Sequence, residues 1–323
     1  MTPMAPPPPA TPLPALEAVL YGLLQGITEF LPVSSSTHLD LLGRGLSAAG
    51  RQPLDGAYEM LFHLPTLAAV LWVLRGEIRA TLWGPRRDRI PALLLACLAT
   101  AAVGMPLEHL LPREHAPLWG LGAALIGTGI VLLATERLKP APAPDGTPWT
   151  WDRGIAVGLG QSLAGVPGLS RLALGSCTGL LTGRSHVHAL VFSLLCSFPV
   201  ALGKAALECR ESLQAGEPDF WTNRVLHGAY PLGALAAFLA GIAAFRWLLK
   251  RLERGTFAPF GIYCVVLGAL ALTGSSMAAK IPPLPTDEPK AGIPGLGPDG
   301  GAPAPAPEPP VLRPEGPPGL PAP

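Results

Sequence analysis

Between Leu23 and Leu42 the chain reads LLQGITEFLPVSSSTHLDLL, an apolar stretch that carries a glutamine, a glutamate, three serines, two threonines, a histidine and an aspartate. Gln25 and Glu29 are four residues apart, so on a helix ending before Pro32 they share one face. A carboxylate at that helix end can hold a divalent cation or act as a general base; the blander reading is a helix pair satisfied by hydrogen bonds. After Pro32 come Ser34, Ser35, Ser36, Thr37 and His38. Hydroxyls at a helix start can cap it, and the first-turn N–H groups make an anion site. If that helix begins near Val33, Ser35 and His38 fall three apart on neighbouring faces, a nucleophile beside a base. The same residues also read as a plain capping run with a hydrogen-bonded histidine. A second apolar stretch holds PGLSR (Pro167–Arg171), and the planar fork of a guanidinium matches phosphate oxygens. Carboxylate, hydroxyls, imidazole and arginine together suit a phosphate ester or diphosphate with an apolar tail.

The surrounding composition says where such chemistry would sit. Of 323 residues, 49% are hydrophobic and 14% charged, against about 25% charged in a soluble domain. That balance reads as a helical membrane protein. An ionisable group inside a span costs at least about 2.5–3.5 kcal/mol, so Glu29 and Arg171 are expected to face an interior cavity. A net charge of +1, without a basic stripe, excludes a nucleic-acid partner. The five cysteines show neither CxxC nor metal-ligand spacing and read as small buried hydrophobes. There is no P-loop, HExxH or nucleophile elbow. The N-terminus lacks a signal-peptide pattern, and residues 1–12 and 280–323, both rich in proline, are expected to be disordered.

Six apolar runs are candidate spans: about Glu59–Leu74, Ile90–Leu111, Leu118–Ala134, Ala189–Leu207, Leu226–Leu249 and Phe257–Met277. Two further segments, Leu13–Leu46 and Ile155–Leu181, are broken by proline, glycine and serine, and each predicts a pair of half-helices around the break. The broken segments resemble each other: at one offset Gly22 meets Gly158, Gln25 meets Gln161 and Ser34 meets Ser170. Basic residues gather in alternate loops (Arg75 to Arg89; Arg137, Lys139 and Arg153; Lys250, Arg251 and Arg254). Placed in the cytoplasm, these loops give two halves of opposite sense. The predicted fold is therefore an all-α polytopic membrane protein, an inverted-topology repeat of six transmembrane helices plus two re-entrant hairpins. The membrane domain is expected over 13–279, with repeat 1 at about 13–135 and repeat 2 at about 154–279.

These motifs resemble those of the bacterial undecaprenyl-diphosphate phosphatase family associated with bacitracin resistance. QGITEFLPVSSSTHL (Gln25–Leu39) is similar to the family's first motif and PGLSR to its second; FHLPTLAAVLW (Phe62–Trp72) and FAPFGIY (Phe257–Tyr263) resemble weaker family stretches. The likeness runs from about Leu16 to Leu272. It implies hydrolysis of undecaprenyl diphosphate to the monophosphate carrier lipid and inorganic phosphate, recycling that lipid for cell-wall synthesis. It implies a multi-pass protein of the bacterial plasma membrane and a divalent cation, magnesium or calcium. Carried over by position, the catalytic residues are Glu29, which would also bind the metal, Ser35, His38 and Arg171. Gln25, Ser34, Ser36, Ser170 and Gly168 would bind substrate. The implied chemistry is attack on the terminal phosphorus by Ser35 or an activated water, with His38 assisting and Arg171 stabilising charge. Leu172, Ala173 and Gly175 stand where the family usually has Ser-Gly and a threonine, Pro65 where glycine is expected and Cys264 where arginine is, so the second half of the site has lost hydroxyl donors. The reading from another class is a transporter or flippase for a lipid phosphate or other anion, since broken helices in inverted repeats also build carriers. The oligomeric state is left open, a homodimer included.

Overall fold

The computed structural model describes residues 14–51, 56–113, 116–144, 146–214, 229–253 and 255–278. Both proline-rich tails lie outside the described residues, as does the start of the expected Leu226–Leu249 run. The described residues form ten α-helices and no strand. In chain order they are α1 (Ala15–Phe30), α2 (Ser35–Ala48), α3 (Gly56–Leu82), α4 (Ile90–Leu110), α5 (Leu118–Leu138), α6 (Trp151–Ser162), α7 (Arg171–Leu181), α8 (His186–Gln214), α9 (Tyr230–Glu253) and α10 (Ala258–Ala278). Parts of α3, α4, α5, α8 and α9 are long and apolar enough to cross a membrane; the shorter apolar stretch Ala258–Gly274 lies in α10. The six apolar runs read from the sequence thus map one to one onto α3, α4, α5, α8, α9 and α10.

Both broken segments are broken, and the local sequence says why. Leu31 precedes Pro32, which pushes it out of the helical region, and it adopts φ −81°, ψ 144° at the end of α1. The second break is a tight turn. Val166 is extended before Pro167, Gly168 has φ +94°, and Leu169 N donates to Val166 O at 3.2 Å. Proline then glycine at the two central positions is the requirement of a type II turn. A side chain at Gly168 would also press on Ala124 Cβ at 2.7 Å. Helices α1, α2, α6 and α7 have 16, 14, 12 and 11 residues. At about 1.5 Å per residue none reaches the ~30 Å of a hydrocarbon core.

The helices pair in a pattern that repeats when the two halves are exchanged: α1 packs along α9, α6 along α4, and α5 along α10. Two of the three internally similar pairs, the glycines and the glutamines, are packed alike. A Cβ on Gly22 would overlap the carbonyl oxygen of Gly233 in α9, and one on Gly158 that of Ala96 in α4. Gln25 and Gln161 are both fully buried. Small residues that let helix backbones touch are what holds helices together where lipid supplies no hydrophobic contrast. Larger side chains fill the space around these contacts, as in the stacked pair Phe30–Phe245 with centroids 5.1 Å apart. Cys177, Cys196 and Cys264 are buried as the sequence implied, Cys97 is half-buried, and these four are free thiols; the Cys209 side chain lies outside the described residues.

Gly22→Val and Gly158→Val are each expected to destabilise the fold by about 1–3 kcal/mol, the usual cost of overpacking, seen as a lowered thermal midpoint in detergent. Gly45→Val, where an added Cβ meets nothing within 4 Å, should leave the midpoint within a degree or two.

Candidate active site

The two breaks meet in one place. A cavity of about 510 Å³ is lined by residues of both, including Glu29, Ser34, Ser35 and Ser36 from the first and Gly168, Ser170 and Arg171 from the second. Helix α2 starts at Ser35 and α7 at Arg171, so two helix N-termini, each carrying about half a positive charge, stand at the cavity wall. They are finished differently. Ser170 caps α7, its Oγ accepting from Ala173 N at 3.2 Å. Ser34 sits at the N-cap of α2 with φ +67° and makes no side-chain cap; its Oγ instead lies 3.0 Å from Thr37 Oγ1. The serine cluster is therefore not a simple capping run, and α2 begins at Ser35 rather than near Val33. Ser34 is the single non-glycine residue of positive φ among the described residues, a strained conformation of the kind found at functional sites.

Glu29 is the centre of the polar geometry. Its Oε2 accepts from Gln25 Nε2 at 2.8 Å and from Ser35 Oγ at 2.8 Å. The predicted Gln25–Glu29 face is real, but its outcome is that the fully buried Gln25 steadies the carboxylate from behind, while Glu29 reaches across Pro32 to the serine. His63 of α3 brings Nε2 to 3.8 Å from the same oxygen. A carboxylate bonded to a serine hydroxyl is a base poised on a nucleophile.

His38 goes elsewhere. The expectation that it neighbours Ser35 is corrected by its contacts: Nδ1 is 2.8 Å from Ser34 O, and Nε2 is 2.8 Å from the hydroxyl of Tyr263 in α10, with the two rings stacked. With Nδ1–H donating to Ser34 O, Nε2 accepts from Tyr263 Oη, so both ring nitrogens are used in holding the first break. Ser35 and His38 still lie three apart within α2, but the imidazole is held by Ser34 O and Tyr263 while the Ser35 hydroxyl bonds Glu29. Thr37 Oγ1 is 3.5 Å from Gly168 O and ties the two breaks together.

Arg171 lines the cavity as expected, and its Nη2 is 3.1 Å from Glu108 Oε1 at the end of α4. Lys204 of α8 reaches the other oxygen of that carboxylate at 3.0 Å. Arg113 also lines the cavity, bonding Asp40 Oδ2 at 3.0 Å and the carbonyl of Ser36. The sequence reading missed His63, Glu108, Lys204 and Arg113 as site residues. Glu108 and Lys204 are charges inside apolar runs, the same signal that singled out Glu29 and Arg171.

The family model described as bacitracin resistance protein BacA matches residues 18–270. The chain belongs to this family. Its relatives include proteins named undecaprenyl-diphosphatase from Desulfatibacillum aliphaticivorans, 32% identical over 80% of this chain and 98% of the relative. Those of Cereibacter sphaeroides and Salinibacter ruber are each 34% identical, over 80% and 79% of this chain and 95% and 97% of theirs. The family match spans both breaks and every residue of the cavity named above.

His38→Asn keeps a donor for Ser34 O and is expected to retain at least ten times the activity of His38→Ala. If the two variants are equally inactive, the ring acts in proton transfer rather than in holding the break.

Proposed function

We infer that this protein hydrolyses undecaprenyl diphosphate to undecaprenyl phosphate and inorganic phosphate at the cavity between the two breaks. Recycling the carrier lipid in this way serves cell-wall synthesis and confers bacitracin resistance. The observation that carries the reading is the Ser35–Glu29 hydrogen bond at 2.8 Å in a cavity that also holds Arg171. A carrier of lipid phosphates needs cations and helix ends, but it has no use for a serine with its proton already directed to a carboxylate.

In the mechanism this supports, the diphosphate lies with its terminal phosphoryl group before the N-termini of α2 and α7. Ser35 Oγ attacks the terminal phosphorus and passes its proton to Glu29. The bond from phosphorus to the bridging oxygen breaks, and undecaprenyl monophosphate leaves with the bonding pair. Water then attacks the phosphoserine, the Oγ–P bond breaks, Oγ regains a proton from Glu29, and inorganic phosphate departs. Arg171 and the first-turn amides of α2 stabilise charge on the transferring oxygens; in phosphoryl transfer such positioning and electrostatics account for most of the rate. His63 lines the same cavity, with Nε2 3.8 Å from Glu29 Oε2.

The donors around Glu29 are hard oxygens, the carboxylate and the hydroxyls of Ser34, Ser35 and Ser36, which suits magnesium or calcium. Among the described residues no three His, Cys, Asp or Glu side chains cluster to cage an ion. Glu29 would hold the cation jointly with diphosphate oxygens, and when bound it would neutralise phosphate charge.

The fold reading belongs to the same proposal. Helices α3, α4, α5, α8, α9 and α10 are six spans, and α1–α2 and α6–α7 are re-entrant hairpins of an inverted repeat over about 13–135 and 154–279. The exchange-symmetric pairing of α1 with α9 and α6 with α4 supports it, as does the alternation of basic loops. The protein would sit in the bacterial plasma membrane with those loops in the cytoplasm.

Phosphate release from undecaprenyl diphosphate by the purified protein in detergent tests the function. Wild type with magnesium or calcium should release phosphate. Glu29→Gln and Arg171→Ala should each lose at least 100-fold in kcat/KM, and a chelator should abolish release reversibly. Folded wild type that binds the lipid but releases nothing would contradict the assignment.

A further inference from the structure

Glu108 does not belong to the Ser35–Glu29 pair, yet it occupies the middle of the cavity's cationic wall. One carboxylate oxygen is 3.1 Å from Arg171 Nη2 and the other 3.0 Å from Lys204 Nζ. A carboxylate held between a guanidinium and an ammonium occupies the place an anionic ligand would take, since the same two cations would bond the oxygens of a phosphate. The two cations are not equivalent. Arg171 begins α7 next to Ser170 and its side chain is 30% exposed, whereas that of Lys204 is 52% exposed. Leu207, three residues on and on the same face of α8 as Lys204, is an exposed apolar side chain. Lys204 thus stands at the mouth, on the side from which an apolar tail would have to leave.

We propose that Lys204 forms a second phosphate subsite, for the lipid-bearing phosphate, and that Glu108 is a displaceable counter-ion filling both subsites until substrate arrives. This deepens the phosphatase reading and rests on it. The terminal phosphate takes Arg171 and the proximal phosphate takes Lys204, so one diphosphate replaces one carboxylate across both cations. Glu108 then competes with each product: inorganic phosphate must displace it from Arg171, and the monophosphate lipid from Lys204. The same competition speeds release, because the carboxylate returns as each product leaves. Lys204 is a substrate-binding residue in this account, and Glu108 acts through the two cations.

Equilibrium binding of undecaprenyl monophosphate and of inorganic phosphate to full-length protein in detergent tests this without requiring turnover. Lys204→Met should weaken binding of the monophosphate lipid at least fivefold while leaving inorganic phosphate within twofold, and Lys204→Arg should restore the lipid affinity. Glu108→Gln should tighten both ligands about fivefold. In steady state, Lys204→Met should raise KM with kcat within twofold. Equal effects of Lys204→Met on the two ligands, or none on either, would overturn the second subsite. Glu108→Gln that lowers kcat without tightening either ligand would make Glu108 an orienting residue for Arg171 and overturn its counter-ion role. Wild type that binds both ligands with this pattern but hydrolyses nothing would leave the subsites standing and remove the phosphatase reading instead.

Discussion

The first turn of a helix leaves backbone N–H groups without intrahelical partners, and inside a bilayer there is no water to take them. This chain ends two helices against a single cavity, and most of what surrounds that cavity follows from the need to satisfy those groups. Ser170 closes α7 in the ordinary way. At α2 the N-cap serine is turned to positive φ and its hydroxyl is diverted to Thr37, so the first turn lacks a side-chain cap. The strain at Ser34 persists because His38 grips its carbonyl and Tyr263 grips His38. The start of α2, without a side-chain cap, lines the cavity, and its neighbours hold it in place.

Electrostatics complete the arrangement. The described cavity wall carries Arg171, Lys204 and Arg113, and each has a carboxylate partner in the structure: Glu108 for the first two and Asp40 for the third. Buried or half-buried charges are tolerated when paired. A ligand that brings its own negative charge can replace one partner without leaving a cation exposed to lipid. Glu29 is different, because its hydrogen bonds come from neutral donors, Gln25 and Ser35. In this it differs from Glu108 and Asp40, whose partners are cations.

Much of this was legible in the sequence, and the remainder was hidden for identifiable reasons. The breaks were visible because proline and glycine dictate local backbone, and the match of Gly22 and Gln25 with Gly158 and Gln161 foretold equivalent packing. Glu29 and Arg171 could be placed because charge inside an apolar segment is costly. The direction of His38 could not be read, since it depends on Ser34 adopting positive φ and on Tyr263, 225 residues away. Spacing on an ideal helix put His38 near Ser35, and both do lie in α2, but Ser35 bonds Glu29 while His38 bonds Ser34 O and Tyr263. Glu108 and Lys204 carried the right signal, but nothing local shows that α4 and α8 bring them to one guanidinium.

The central claim is that Ser35 and Glu29 work as one unit across the first break. A double-mutant cycle on single-turnover phosphate release measures this directly. If the pair is a unit, the double variant Ser35→Ala/Glu29→Gln will be no slower than the worse single variant, within about threefold, because breaking the bond once removes the function. If the two losses multiply, serine and carboxylate act independently, and the hydrogen bond between them is not the catalytic link.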